Sequence, residues 1–141
     1  MNAICLLRRK IERLMNEHFP INKLIQIPGD PFWCSFLIDK WAIYVLFSEK
    51  TIIYIGISYN LGSRLNTHFR NSEYGNMITS VGIIRLNYKD WWDGAAIEAW
   101  LINRYKPSYN KDNRYFHCTT VPPDFSLDEI TIQIKQQQEN N

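Results

Sequence analysis

The chain has 141 residues and a formal net charge of only +2, from 16 Lys and Arg against 14 Asp and Glu. At 45% hydrophobic and 14% aromatic residues, it has ample material for one packed domain with attached ends. Its apolar runs are too short to span a bilayer, and its near-even charge does not by itself announce a nucleic-acid partner.

The N-terminus, MNAICLLRRKIERLM, places charges early and lacks an apolar stretch followed by a small-residue cleavage site. It does not read as a secretory signal. Cys5, Cys34 and Cys118 are odd in number and widely spaced, which suits neither a disulfide framework nor a zinc site and implies a reducing cytoplasm. His117-Cys118 is at most half a metal site, and packing or exposure explains it better. Cys5 to Phe19 is expected to be a helix with Leu7, Ile11, Leu14 and Met15 on its apolar face and Arg8, Arg9, Lys10 and Arg13 around it. It packs on the core or grips a polyanion, and packing is the simpler reading. Residues 20–40 mix prolines, a glycine and aromatics, and read as a covering loop or a short strand.

Ala42–Phe47 and Ile52–Gly56 are β-branched and aromatic runs separated by Ser48-Glu49-Lys50-Thr51, a hairpin pattern without the usual turn glycine. Each strand carries one tyrosine, Tyr44 and Tyr54. If Phe47 pairs with Thr51, the two lie opposite each other on one face; a slip of one residue sends them to opposite faces. Taken alone, they are good strand formers.

Asn60 to Arg70 follows as a helix, with Asn60 or Ser58 as N-cap. Leu61, Leu65 and Phe69 form the packed stripe, and Gly62 on the sheet side allows close approach. Arg64 and His68, four residues apart, sit side by side along one edge. Alone, they are a solvated helix edge. Val81 to Tyr88 is a third strand, and the Trp91-Trp92 pair marks the start of the next helix, as packing residues or as a base-stacking surface.

Asp93 to Tyr105 reads as a helix stopped before Pro107. Ala95, Ile97, Leu101, Ile102 and Tyr105 fall on one arc, and Glu98 lies inside it. A carboxylate among apolar neighbours needs a cation, either an Arg or Lys in a buried salt bridge or a metal ion. On this helix alone the salt bridge is the more economical reading. Beyond the helix, Lys106, Lys111, Arg114 and Tyr115 interleave with Tyr109 and Phe116, and Arg70 closes the earlier helix. Such a rim suits phosphate contacts and base stacking, as well as an ordinary soluble surface. From Pro122 the chain turns polar, and its KQQQENN end is expected to be disordered.

Ala42-Ile43-Tyr44, Tyr54-Ile55-Gly56, Arg64, His68, Glu98 and Asn110 together resemble the GIY-YIG nuclease family. Ala42 stands where Gly is usual; the second triplet is intact. The triplets are weak motifs, but the order and spacing of all six elements between Trp41 and Lys111 are fairly specific. The resemblance implies a catalytic set of Tyr44, Tyr54, Arg64, His68, Glu98 and Asn110. Glu98 would hold one divalent ion, Mg²⁺ or Mn²⁺, and Arg64 would fork onto phosphate oxygens. One tyrosine, with Tyr44 favoured, would deprotonate water, and His68 would relay the proton. Asn110 would hold the site together or touch the phosphate. Arg70, Lys106, Lys111, Arg114 and Tyr115 would grip nucleic acid.

The expected architecture is therefore an α/β domain with a central antiparallel sheet of about three strands, flanked by helices and extended by an N-terminal helix. Residues 1–40 form that helix and a covering segment, 41–121 the nuclease-like domain and 122–141 a flexible tail. The expected activity is metal-dependent cleavage of DNA, or of RNA, leaving 5′-phosphate and 3′-hydroxyl ends, with a homodimer or protein partner as one source of specificity and no membrane contact. Two rivals are a nucleic-acid-binding module whose nuclease site is degenerate or needs a partner, and a protein-interaction domain in which Glu98 forms a structural salt bridge.

Overall fold

The computed structural model describes residues 2–3, 5–6, 9, 22–34, 37, 41–86, 91–111, 121–122 and 125–140. In chain order the described elements are strand β1 (Leu24–Pro28), the single turn α1 (Pro31–Cys34), strands β2 (Ala42–Ser48) and β3 (Thr51–Ser58), helix α2 (Leu61–Asn71), a 3-10 turn at Gly75–Met77, strand β4 (Ser80–Arg85), and helices α3 (Trp91–Tyr105) and α4 (Leu127–Asn140).

Among the described residues the sheet has four strands, not three, in the order β1-β4-β2-β3. All its neighbours are antiparallel. The extra strand, LIQIP, lies in the segment expected to cover the core. Its alternation is hidden by three apolar residues in five, and it becomes a strand by pairing along β4 from Leu24↔Ile84 to Pro28↔Ser80. The expected N-terminal helix falls almost wholly outside the described residues, as do Arg114, Tyr115 and Cys118.

β2 is fully buried from Ala42 to Phe47, because helices cover both faces of the sheet. One face carries Tyr44, Leu46 and Ile83, packed against Leu61 and Leu65 of α2. The other carries Ile43, Val45 and Phe47, packed with Ile97 and Leu101 of α3 and with Ile130 and Ile134 of α4. The tail expectation fails here. Residues 127–140 form a helix whose Ile130 and Ile134 have no exposed surface. Two buried isoleucines four residues apart anchor an otherwise polar helix, and Gln133 Oε1 accepts the Leu24 N–H at 2.6 Å.

The β2–β3 hairpin closes through Glu49 and Lys50. Glu49 takes the positive φ of 54° that a glycine would carry more easily. Its N–H is held by Thr79 Oγ1 at 2.7 Å.

Ala42 lies in regular pairing with Ser58 on one side and Arg85 on the other. It is not among the non-glycine residues with positive φ. A glycine is not required at that position.

Candidate active site

The hairpin register decides where the tyrosines point. Ser48 pairs with Thr51 and Phe47 with Ile52, but Leu46 pairs with Tyr54 and Tyr44 with Gly56. The register shifts between Leu46 and Phe47, leaving Ile53 as the extra residue of a β-bulge. Without the bulge, Ile53 would pair with Leu46, and Tyr54 would oppose Val45 and face α3. With it, Tyr54 joins Tyr44 on the α2 face, the two rings stacked with centroids 6.0 Å apart. Neither of the two registers left open by the sequence holds: the tyrosines share a face, but as diagonal neighbours. The residue opposite Tyr44 is Gly56, and any Cβ there would fall on the Tyr44 hydroxyl and Cζ. Glycine is needed at that position for the room it leaves a ring.

α2 brings the next groups. Asn60 caps it, its Oδ1 accepting the Ser63 N–H at 3.4 Å. Gly62 does permit a close approach, but to the carbonyls of Cys34 and Leu37 beside α1, not to the sheet. His68, 7% exposed, is buried against the tyrosine face. Its Nε2 lies 2.8 Å from the Tyr44 hydroxyl and its Nδ1 2.6 Å from the Tyr74 hydroxyl. Tyr54 packs on the same imidazole, centroids 4.5 Å apart. Arg64 is exposed, and its guanidinium is near enough to Tyr44 and Tyr54 to interact electrostatically with both.

Burial and electrostatics set the charges. Tyr44 has no exposed surface. Desolvation drives its phenol well above the ordinary range and the Tyr54 neighbour adds to this, while the Arg64 guanidinium works in the opposite direction. His68 is lowered to about 4 by burial and then by the Arg64 charge, so the imidazole is neutral near pH 7. Glu98 is 8% exposed on α3 and close enough to oppose Tyr44 ionisation electrostatically.

Asn110 reaches the outer edge of β3. Its Oδ1 accepts the Ile55 N–H at 2.9 Å and its Nδ2 donates to the Ile55 carbonyl at 2.8 Å. The amide imitates one more strand residue, and the Tyr109 N–H donates to the Ile53 carbonyl at 3.0 Å beside it. This grip spans the bulge that aims Tyr54.

The site also includes Tyr74, which the sequence reading passed over. Its only signal is a tyrosine six residues beyond His68 in the turn after α2. Tyr54, Tyr74 and Tyr109, with Ser72, Glu73, Asn110 and Lys111, line a cleft of about 470 Å³. Of the expected nucleic-acid contacts, Lys111 stands at this cleft and pairs with Glu73 at 3.2 Å, both side chains exposed. Lys106 lines a separate hollow with Lys50 and Gln138. Arg70 is exposed near the end of α2.

A family profile described as the GIY-YIG catalytic domain matches residues 40–113, more than half of the chain. The chain belongs to the GIY-YIG family. Three solved structures resemble this GIY-YIG chain, each a point mutant of the GIY-YIG N-terminal endonuclease domain of UvrC from Thermotoga maritima bound to its catalytic divalent cation. The first is 24% identical, with a TM-score of 0.48 over 56% of this chain and 91% of that one. The second is 21% identical with a TM-score of 0.48 over the same shares. The third is 22% identical with a TM-score of 0.47 over 54% and 88%. No curated protein matches. Within the GIY-YIG region, the two triplets form β2 and β3, Arg64 and His68 lie on α2, and Glu98 lies on α3.

Proposed function

We propose that this chain is an endonuclease that hydrolyses phosphodiester bonds in DNA with one divalent cation, Mg²⁺ or Mn²⁺, leaving 5′-phosphate and 3′-hydroxyl ends. The observation that carries the reading is the Tyr44–His68 hydrogen bond of 2.8 Å, buried beneath an exposed arginine. It pairs a phenol with a ready proton acceptor, beside a cation able to meet phosphate.

The donor set fits a hard cation. Among the described residues no three His, Cys, Asp or Glu gather as metal ligands, which is unlike a structural zinc site. Glu98, one partly shielded carboxylate, is the residue that would hold an ion of the Mg²⁺ type, which takes few protein ligands and keeps most of its waters. Such an ion, when bound, offsets the charge that grows on the phosphoryl and leaving oxygens.

The chain's own groups do the rest. Arg64 stands near the two phenols. A phosphate draws its planar guanidinium onto two non-bridging oxygens. Tyr44 acts as base toward the attacking water, because His68 Nε2 can take its proton. Tyr54, half-buried at the mouth, holds the water in line. Asn110 has both ends of its amide engaged by Ile55, so its part is to fix the β3 edge. Lys111 and Arg70, with Arg114 and Tyr115 as sequence-based candidates, add phosphate attraction.

The test is cleavage of plasmid, branched and single-stranded DNA, with RNA in parallel, in Mg²⁺ or EDTA. Tyr44→Phe should abolish metal-dependent DNA cleavage and leave the fold intact by circular dichroism. Full activity of Tyr44→Phe together with a dead Tyr54→Phe would exchange the two roles.

A further inference from the structure

We infer that the tyrosine-lined cleft beside the active site is a binding site for one unpaired nucleobase, with Tyr109 as its stacking platform. The inference deepens the endonuclease reading above, on which the place of that base beside the cut rests. It names the substrate class: nucleic acid with an unstacked nucleotide next to the bond to be broken.

The walls come first. Tyr54 and Tyr74 are stacked with ring centroids 5.9 Å apart, and Tyr74 and Tyr109 follow at 4.6 Å. These are direct ring contacts, so no base slides between the rungs. Tyr74, in the middle, is 8% exposed, while Tyr54 and Tyr109 at the two ends are half-buried. The end rungs are therefore the ones that meet a ligand. Tyr54 also packs on His68, centroids 4.5 Å apart, so it is a wall of both the cleft and the active site. A base held in the cleft then belongs to a nucleotide adjoining the phosphate at Tyr54. Tyr109 has no part in the chemistry proposed above.

The platform is fixed before a ligand arrives. The Tyr109 N–H donates to the Ile53 carbonyl at 3.0 Å. The next residue, Asn110, grips Ile55 with both ends of its amide. A ring anchored through its own backbone and its neighbour's side chain has less freedom to lose on binding.

Size and charge choose the occupant. The cleft holds about 470 Å³, within the range of about 300–1,000 Å³ common for small-molecule sites. The charged residues lining it are Glu73 and Lys111, which pair at 3.2 Å and cancel. A bare phosphate inside would meet phenol rings and a carboxylate. A neutral planar ring meets aromatic faces, and Lys111 at the exposed rim is placed for the phosphate of the same nucleotide. Asn110 has its amide engaged by Ile55, so it reads no base edge. Every base has a face that stacks on tyrosine. Selection thus falls on the unpaired state and not on base identity, because a base within a duplex has both faces covered.

The experiment uses the full chain in EDTA and a DNA duplex with one unpaired 2-aminopurine nucleotide, whose fluorescence falls when the base stacks. The controls are the same duplex with that nucleotide paired, and with that position abasic. The wild type should quench the unpaired probe and bind its duplex about tenfold more tightly than either control, on the scale of one stacked base. Tyr109→Leu keeps bulk without an aromatic face; it should lose the quench and the preference and bind the paired duplex as before. Tyr109→Phe should keep both. Equal wild-type affinity for the unpaired and abasic duplexes would overturn the inference, whatever the stability of Tyr109→Leu. So would a Tyr109→Leu that weakens paired and unpaired duplexes alike. An unquenched probe would also overturn it, and a proline-rich peptide bound in its place would name the other ligand that aromatic grooves take. With Mg²⁺ added, a wild type that keeps the base preference but cuts nothing would refute the endonuclease reading and leave the base site standing. One that cuts but shows no base preference would overturn the base site alone.

Discussion

Gly56 stands directly opposite Tyr44 in the β2–β3 pair, and a side chain there would occupy the space of the tyrosine hydroxyl. Gly56→Ala should therefore act on Tyr44 more than on the strand. Displacing the ring from His68 should abolish cleavage, while overpacking costs about 1–3 kcal/mol. Urea unfolding paired with a cleavage assay checks this. An active Gly56→Ala would show that the Tyr44–His68 contact is dispensable.

His68 should make the fold sensitive to acid. In the folded chain its pKa is lowered from 6.5 to about 4, mainly by burial. Between these values the unfolded chain binds the proton and the folded chain does not, so stability falls as pH drops from about 6.5 toward 4. Of the groups facing the ring, Tyr44 and Tyr74 are raised by burial and Arg64 is also raised, so none of these three titrates in that window. His68→Gln should flatten the stability profile there, read from denaturation midpoints at several pH values. Equal slopes for the two proteins would contradict the buried, neutral imidazole.

The C-terminal helix should be integral to the domain. Ile134 has no exposed surface and packs with the sheet face that α3 covers. Ile134→Ala should cost about 2–5 kcal/mol, seen as a lowered Tm. An unchanged Tm would restore the picture of a loose polar tail.

How much of this was legible in the sequence depends on the element. The hairpin, α2 and α3 follow from periodicity and capping, and the boundaries differ from expectation by one or two residues. That Tyr44 and Tyr54 fall on a hairpin, Arg64 and His68 on the helix after it and Glu98 on a later helix was legible through order and spacing. The bulge was not, because Ile53 looks like any other apolar strand residue, and it alone turns Tyr54 toward Tyr44. β1 was hidden because its partner β4 lies more than fifty residues away in sequence, so no local turn announces the pairing. α4 was hidden because two isoleucines among glutamines give a weak stripe until a core exists to receive them. Tyr74 was missed because its role comes from a turn after α2, where no periodicity applies.

The central claim is hydrolysis at the site that Glu98, Arg64 and Tyr44 border. It is tested most directly by single-turnover cleavage of DNA with Mg²⁺, comparing the wild type with Glu98→Gln and Arg64→Ala. Wild-type cleavage abolished by EDTA, and lost in both variants while their circular dichroism and Tm stay near the wild type, is the predicted result. Cleavage that persists at full rate in both variants, or a wild type that binds DNA and leaves every phosphodiester intact, would contradict it.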